Sequence, residues 1–90
     1  MSGVTINPEA SRYEMPVEGH IAFVTFRRAP DRITLLHAEV PAELEGRGIG
    51  SRLAKATLDA VRAEGLKVVP RCSFIAAYIQ RHPEYQDLLA

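Results

Sequence analysis

Apolar residues in the stretch "HIAFVTFRR", His20–Arg28, follow the alternation of a strand. Both faces are apolar at its start, with Ile21 and Phe23 on one and Ala22, Val24 and Phe26 on the other. Such a strand is expected to be covered on both sides. Ser11–Met15 predicts a shorter strand before it, and Pro16–Gly19 a hairpin turn between the two. Pro30-Asp31 marks a turn within Ala29–Arg32, and "ITLLHAEV", Ile33–Val40, predicts a third strand. The three make an antiparallel meander. In the third strand, Ile33, Leu35, His37 and Glu39 share a face that turns polar towards its end, provided that no bulge intervenes. Two ionisable residues there predict a solvent-facing edge or a site.

The period then changes. From Ile49 to Ala63, Ile49, Leu53, Ala56, Thr57, Ala60 and Val61 fall on one helical face, and Arg52, Lys55, Asp59 and Arg62 on the other. Lys55 and Asp59 have the spacing of a weak ion pair. Gly65 is placed to end the helix in a left-handed turn. Leu66–Val69 predicts a fourth strand, parallel to the third because a helix separates them. Pro70 should stop its pairing. Ser73 is the expected N-cap of a second helix, Phe74–Arg81, with Phe74, Ile75, Tyr78 and Ile79 inward. Pro83 ends that helix, and "EYQDLLA" is a tail that docks through Tyr85, Leu88 and Leu89. Residues 1–10 read as a loose leader with a turn at Asn7-Pro8. The expected fold is α+β in a single domain, 1–90. It has a three-stranded antiparallel meander, a crossover helix, a parallel fourth strand and a C-terminal helix. The mixed sheet is flanked by helices.

Composition narrows the function. Net charge is zero, and the arginines are too scattered for a nucleic-acid surface. One cysteine, Cys72, leaves no internal disulfide, and His20, His37, His82 and Cys72 lack the paired spacing of a zinc site, so no metal is expected. No apolar run is long enough for a bilayer, so no membrane partner and a cytoplasmic location are the expectation, as monomer or weak dimer.

The stretch "ELEGRGIGSRL" sets Gly46, Gly48 and Gly50 against a helix start. Free backbone N–H groups and the helix dipole would make this a diphosphate cradle. A tight turn with positive φ at one or two glycines is the simpler alternative. The P-loop pattern fails, because Ser51-Arg52 follows Gly50. A dinucleotide-binding fold does not fit in ninety residues.

The loop resembles the Arg/Gln-x-x-Gly-x-Gly/Ala segment of the GNAT acetyltransferases, with Gly48-Ile49-Gly50 at its end and Glu45 in place of Arg or Gln. "HAEVP", His37–Pro41, and "VPRCSFIAAYIQRHPEY", Val69–Tyr85, are similar to signature segments of a minimal GNAT subfamily. The resemblance spans Tyr13 to Leu89. It implies acetyl-coenzyme A as co-substrate, lying where the third and fourth strands splay apart. Val40, Glu45, Gly46, Arg47, Gly48, Ile49, Gly50, Ser51 and Tyr78 would contact it. The subfamily also has a cysteine at Cys72, suspected of carrying the acyl group. From the residues alone, a helix start and Arg71 favour its thiolate, while a small buried hydrophobe is the plainer alternative. His37 and Glu39 are candidate bases, and Tyr78 a candidate proton donor or a packing residue. The implied activity is N-acetyl transfer to an amine, a protein or peptide lysine among the candidates. The usual helices on the acceptor side are missing, since only Pro16–Gly19 separates the first two strands. A coenzyme A-binding or sensing module with little turnover is the alternative.

Overall fold

A computed structural model describes residues 3–90. Five strands form one sheet, in the order β1 (Thr5–Asn7), β2 (Arg12–Val17), β3 (His20–Arg28), β4 (Arg32–Glu39) and β5 (Lys67–Pro70). The first three junctions are antiparallel. β4 and β5 are parallel and joined through α1 (Ile49–Ala63). α2 (Ser73–Arg81) follows, and a 3₁₀ stretch, Pro83–Leu88, leads into the tail.

Thus β2 to β5 and both helices follow the α+β reading, and the leader departs from it. Its first two residues lie outside the described residues. Thr5–Asn7 adds an edge strand to β2, and Val4 is buried. The Asn7 side chain accepts from the Ala10 N–H at 3.2 Å, which turns the chain back along β2. The β2–β3 turn is also tighter than expected. Val17 pairs with His20, so only Glu18 and Gly19 span it, at φ 49° and 81°. Positive φ at both central residues matches the twist of the strands they join.

One face of the sheet carries Tyr13, Met15, Ala22, Val24, Phe26, Ile33, Leu35 and Val68, all buried in one cluster with the apolar residues of both helices. Among the described residues, the opposite face has no helix on it. Ile21 there is 44% exposed, and Phe23 is covered in part by the Arg12 guanidinium, 4.3 Å from its ring centroid. The expected cover on both sides of β3 is therefore absent. Both helices serve the same face, and an arginine stem shields the other.

α1 forms because its apolar positions recur at helical spacing, with Leu53, Ala54, Leu58 and Val61 fully buried. Thr57 is fully buried among them, and its hydroxyl has no hydrogen-bond partner among the described residues. The polar face of α1 holds the tail. Tyr85 donates to Asp59 at 2.7 Å, Lys55 donates to Asp59 at 3.0 Å, and Arg62 donates to both Asp87 oxygens. Leu88 is buried, whereas Leu89 is exposed and forms an isolated bridge to Val68.

Candidate functional site

β4 and β5 pair only from Arg32 to Leu35. Beyond that point the Leu35 carbonyl accepts from the Cys72 N–H at 2.9 Å, and no strand follows on that side of β4. Pro70, with no N–H, ends β5 there, as the sequence predicts. Residues 36–39 therefore have β3 on one side and an open edge on the other.

A bulge sits at the mouth of this gap. Thr25 pairs with His37 and Phe26 with Leu35, which leaves Leu36 as an extra residue in β4. The bulge reverses the sidedness expected from simple alternation. Ile33 and Leu35 face the helices, while His37 and Glu39 stand with Thr25 and Phe23 on the uncovered face. The pair itself survives. His37 Nε2 lies 3.3 Å from Glu39 Oε1, with both side chains more than half exposed.

The segment 40–48 runs from β4 to α1. Val40 packs against the core, and a short 3₁₀ turn, Ala42–Leu44, buries Leu44. That anchor is absent from the sequence reading, although a lone leucine between glutamates was its signal. Glu45 ends the turn and is exposed. Gly46 and Gly48 follow at φ 85° and 72°, with open space where a Cβ would stand. Both lie where L residues are strained. Gly48 is the N-cap of α1, and no side chain caps the helix. The first amides of Ile49, Gly50 and Ser51 are the groups that a helix start leaves unpaired. Arg47 turns away to pair with Glu18 of the hairpin at 2.6 Å.

α2 starts beside α1. Cys72, its N-cap in place of the expected Ser73, is 7% exposed and has no side-chain cap bond. Its backbone is fixed from both sides, by Leu35 and by the Ala76 N–H at 3.0 Å. Its thiol meets no base among the described residues, so His37 and Glu39 are not brought into hydrogen-bond reach of it. Phe74, expected inward, is 41% exposed. Tyr78 is buried, stacked on His82 at 3.9 Å between centroids. Burial raises the Tyr78 pKa above the ordinary phenol value, and its hydroxyl bonds to no described residue.

The arrangement is thus an uncapped helix start, an open strand edge and a second helix start around one gap. It fits an acyl-coenzyme A in its donors: backbone N–H groups for a diphosphate and an unpaired strand edge for an amide-bearing arm. Among the described residues no cluster of three or more His, Cys, Asp or Glu could hold a metal ion, and no helix is long and apolar enough to cross a membrane.

Comparison with known proteins agrees with this geometry. The Protein NATD1 sequences of Gallus gallus, Mus musculus and Homo sapiens are each 45% identical over 56 residues, 62% of this chain. The matched stretch covers about half the length of each relative, 51%, 51% and 50% respectively. The solution structure of a GCN5-like protein from Staphylococcus aureus is similar over 100% of this chain and 91% of that one, with a TM-score of 0.70 and 28% identity. The family model of the GCN5-related N-acetyltransferases matches residues 12–88, and the chain belongs to that family.

Proposed function

We propose that this chain uses acetyl-coenzyme A to acetylate an amine, with an exposed lysine of a protein or peptide as the acceptor class. The observation that carries the reading is the uncapped start of α1, opened by two positive-φ glycines beside the place where β4 and β5 part. The amides of Ile49, Gly50 and Ser51 would hold the diphosphate, and the free edge near Glu39 and Val40 would pair with the pantetheine arm. The co-substrate supplies an acetyl group activated as a thioester.

In the transfer, the amine nitrogen forms a bond to the carbonyl carbon, the C–S bond breaks, and the amine's proton must leave. His37, beside the Glu39 carboxylate, accepts that proton directly or through water. Both lie on the uncovered sheet face, which suits a broad acceptor better than a small enclosed one. Tyr78, a phenol whose pKa burial raises, is the group that would protonate the departing thiolate. The Cys72 thiol is buried and makes no hydrogen bond among the described residues, which supports direct transfer over a route through acetyl-Cys72. A second reading, a coenzyme A-binding module of low turnover, is favoured by Glu45, whose exposed carboxylate precedes a proposed anion site.

Calorimetric titration with acetyl-coenzyme A tests the cradle. Wild type should bind and Gly48→Val should not, while its circular dichroism stays that of a folded protein. With binding in hand, acetylation of a lysine peptide separates the two readings. His37→Ala should lower kcat at unchanged affinity, and Cys72→Ala should retain turnover. Binding without any turnover leaves the module, and no binding rejects both.

A further inference from the structure

Gly50 needs a different explanation from Gly46 and Gly48. It lies inside α1, outside the left-handed region, so its backbone does not demand glycine. What a side chain there would press on is Phe74. A Cβ on Gly50 would stand 3.0 Å from Phe74 Cζ and 3.6 Å from both Cε atoms. The ring of Phe74 therefore points tip-first into the first turn of α1. The same ring is 41% exposed, while the other aromatic residues of this end of the chain, Tyr78 and Tyr85, are 8% and 5% exposed. A helix that gives up a side chain to admit a ring, and then leaves much of that ring in water, has placed it for more than burial.

Phe74 stands between two helix starts, neither capped by a side chain. On one side is the amide-rich start of α1. On the other is Cys72, bonded to Leu35 where the sheet opens. A ligand with its diphosphate on α1 and its reactive end in the gap must pass the first turn of α2, where the ring projects.

We infer that Phe74 is a wall of this passage, its exposed ring packing against the pantetheine arm of an acyl-coenzyme A and setting how far the thioester reaches past Cys72. The inference rests on the proposed function, and names a binding residue within that site.

The test compares two ligands. Coenzyme A carries the arm, and 3′-phospho-ADP carries the same diphosphate without it. Phe74→Ala should weaken coenzyme A by about tenfold and leave 3′-phospho-ADP within about twofold. Phe74→Leu, which keeps apolar volume, should show a smaller loss in the same direction, and thermal melting establishes that each variant is folded. Equal losses on both ligands, or no loss on either, would overturn the inference. Failure of wild type to bind either ligand rejects the proposed function itself, and is distinguished from these by the wild-type titration.

Discussion

At its C-terminal end α1 is closed by several devices at once. Gly65, at φ 73°, donates to Arg62, and Leu66 donates to Val61, so those two carbonyls are satisfied. Glu64 would oppose the helix dipole there, but both of its carboxylate oxygens are engaged. Tyr13 donates to one at 2.8 Å and Arg28 pairs with the other at 2.8 Å. The Tyr13 pKa rises steeply as a result, first from burial and then from the carboxylate beside it. The N-terminal end has none of this. Gly48 offers no side chain, and the first turn contains no acidic residue. One helix thus spends its polar partners on stability at one end and withholds them at the other. An end left bare in a small protein has a cost in stability, and a ligand is what would offset it.

That contrast can be broken from either side. The largest effect should come from Glu64→Ala, which takes the carboxylate away from both the Tyr13 hydroxyl and the part-exposed Arg28 guanidinium. Urea unfolding should show a loss of about 2 kcal/mol, with affinity for acetyl-coenzyme A unchanged. Adding Tyr13→Phe to that variant should cost less than Tyr13→Phe alone, since the carboxylate it donates to is already gone. A loss of affinity on Glu64→Ala would mean that the two ends are not independent.

The bare end should respond with opposite signs. Ser51→Glu puts a carboxylate in the first turn of α1 and should stabilise the fold by about 0.5 kcal/mol. The same charge should repel a diphosphate and weaken acetyl-coenzyme A. If melting temperature and affinity move together, the start of α1 is not where the anion rests.

The smallest effect concerns the tail clamped to α1. Hydrogen bonds from Arg62 hold the Asp87 pKa below the usual carboxylate value. For Asp59, burial works upward, but the bonds from Tyr85 and Lys55 outweigh it and the net shift is downward. Folded-state values below the unfolded value of about 3.9 mean that the folded chain binds fewer protons. This stability is present above that value and is lost as pH falls through the folded values. Unfolding midpoints should be level above about pH 5 and decline below about pH 4. A midpoint unchanged down to pH 3 would show that the clamp contributes nothing.

Much of this could be read from the residues. The period-2 run of β3, the 3.6-residue period of α1, the stop at Pro70 and the Lys55–Asp59 pair are all local patterns, and local patterns survive folding. Thr5–Asn7 was not legible, because three residues at a sheet edge have too little alternation to show. Ser73 looked like the cap because its side chain suits one, but Cys72 takes the position through its backbone bond to Leu35, a contact between distant parts of the chain. The glycine loop was legible as a helix start. Its third glycine was not, since the reason for Gly50 lies on another helix. For the same reason the helical pattern places Phe74 inward: spacing cannot see that its neighbour has no side chain.

The extra residue at Leu36 makes this stretch of β4 tolerant of one particular change in length. Removing Leu36 would leave Leu35 opposite Phe26 and His37 opposite Thr25, so plain alternation would keep His37 and Glu39 on the uncovered face. Keeping the residue but drawing it into the ladder would do the damage. It would swing His37 and Glu39 in among Val24 and Phe26 and carry Ala38 out into water. In a comparison of related chains, a gap at this point preserves the proposed site, whereas one placed a few residues later matches inward side chains with outward ones.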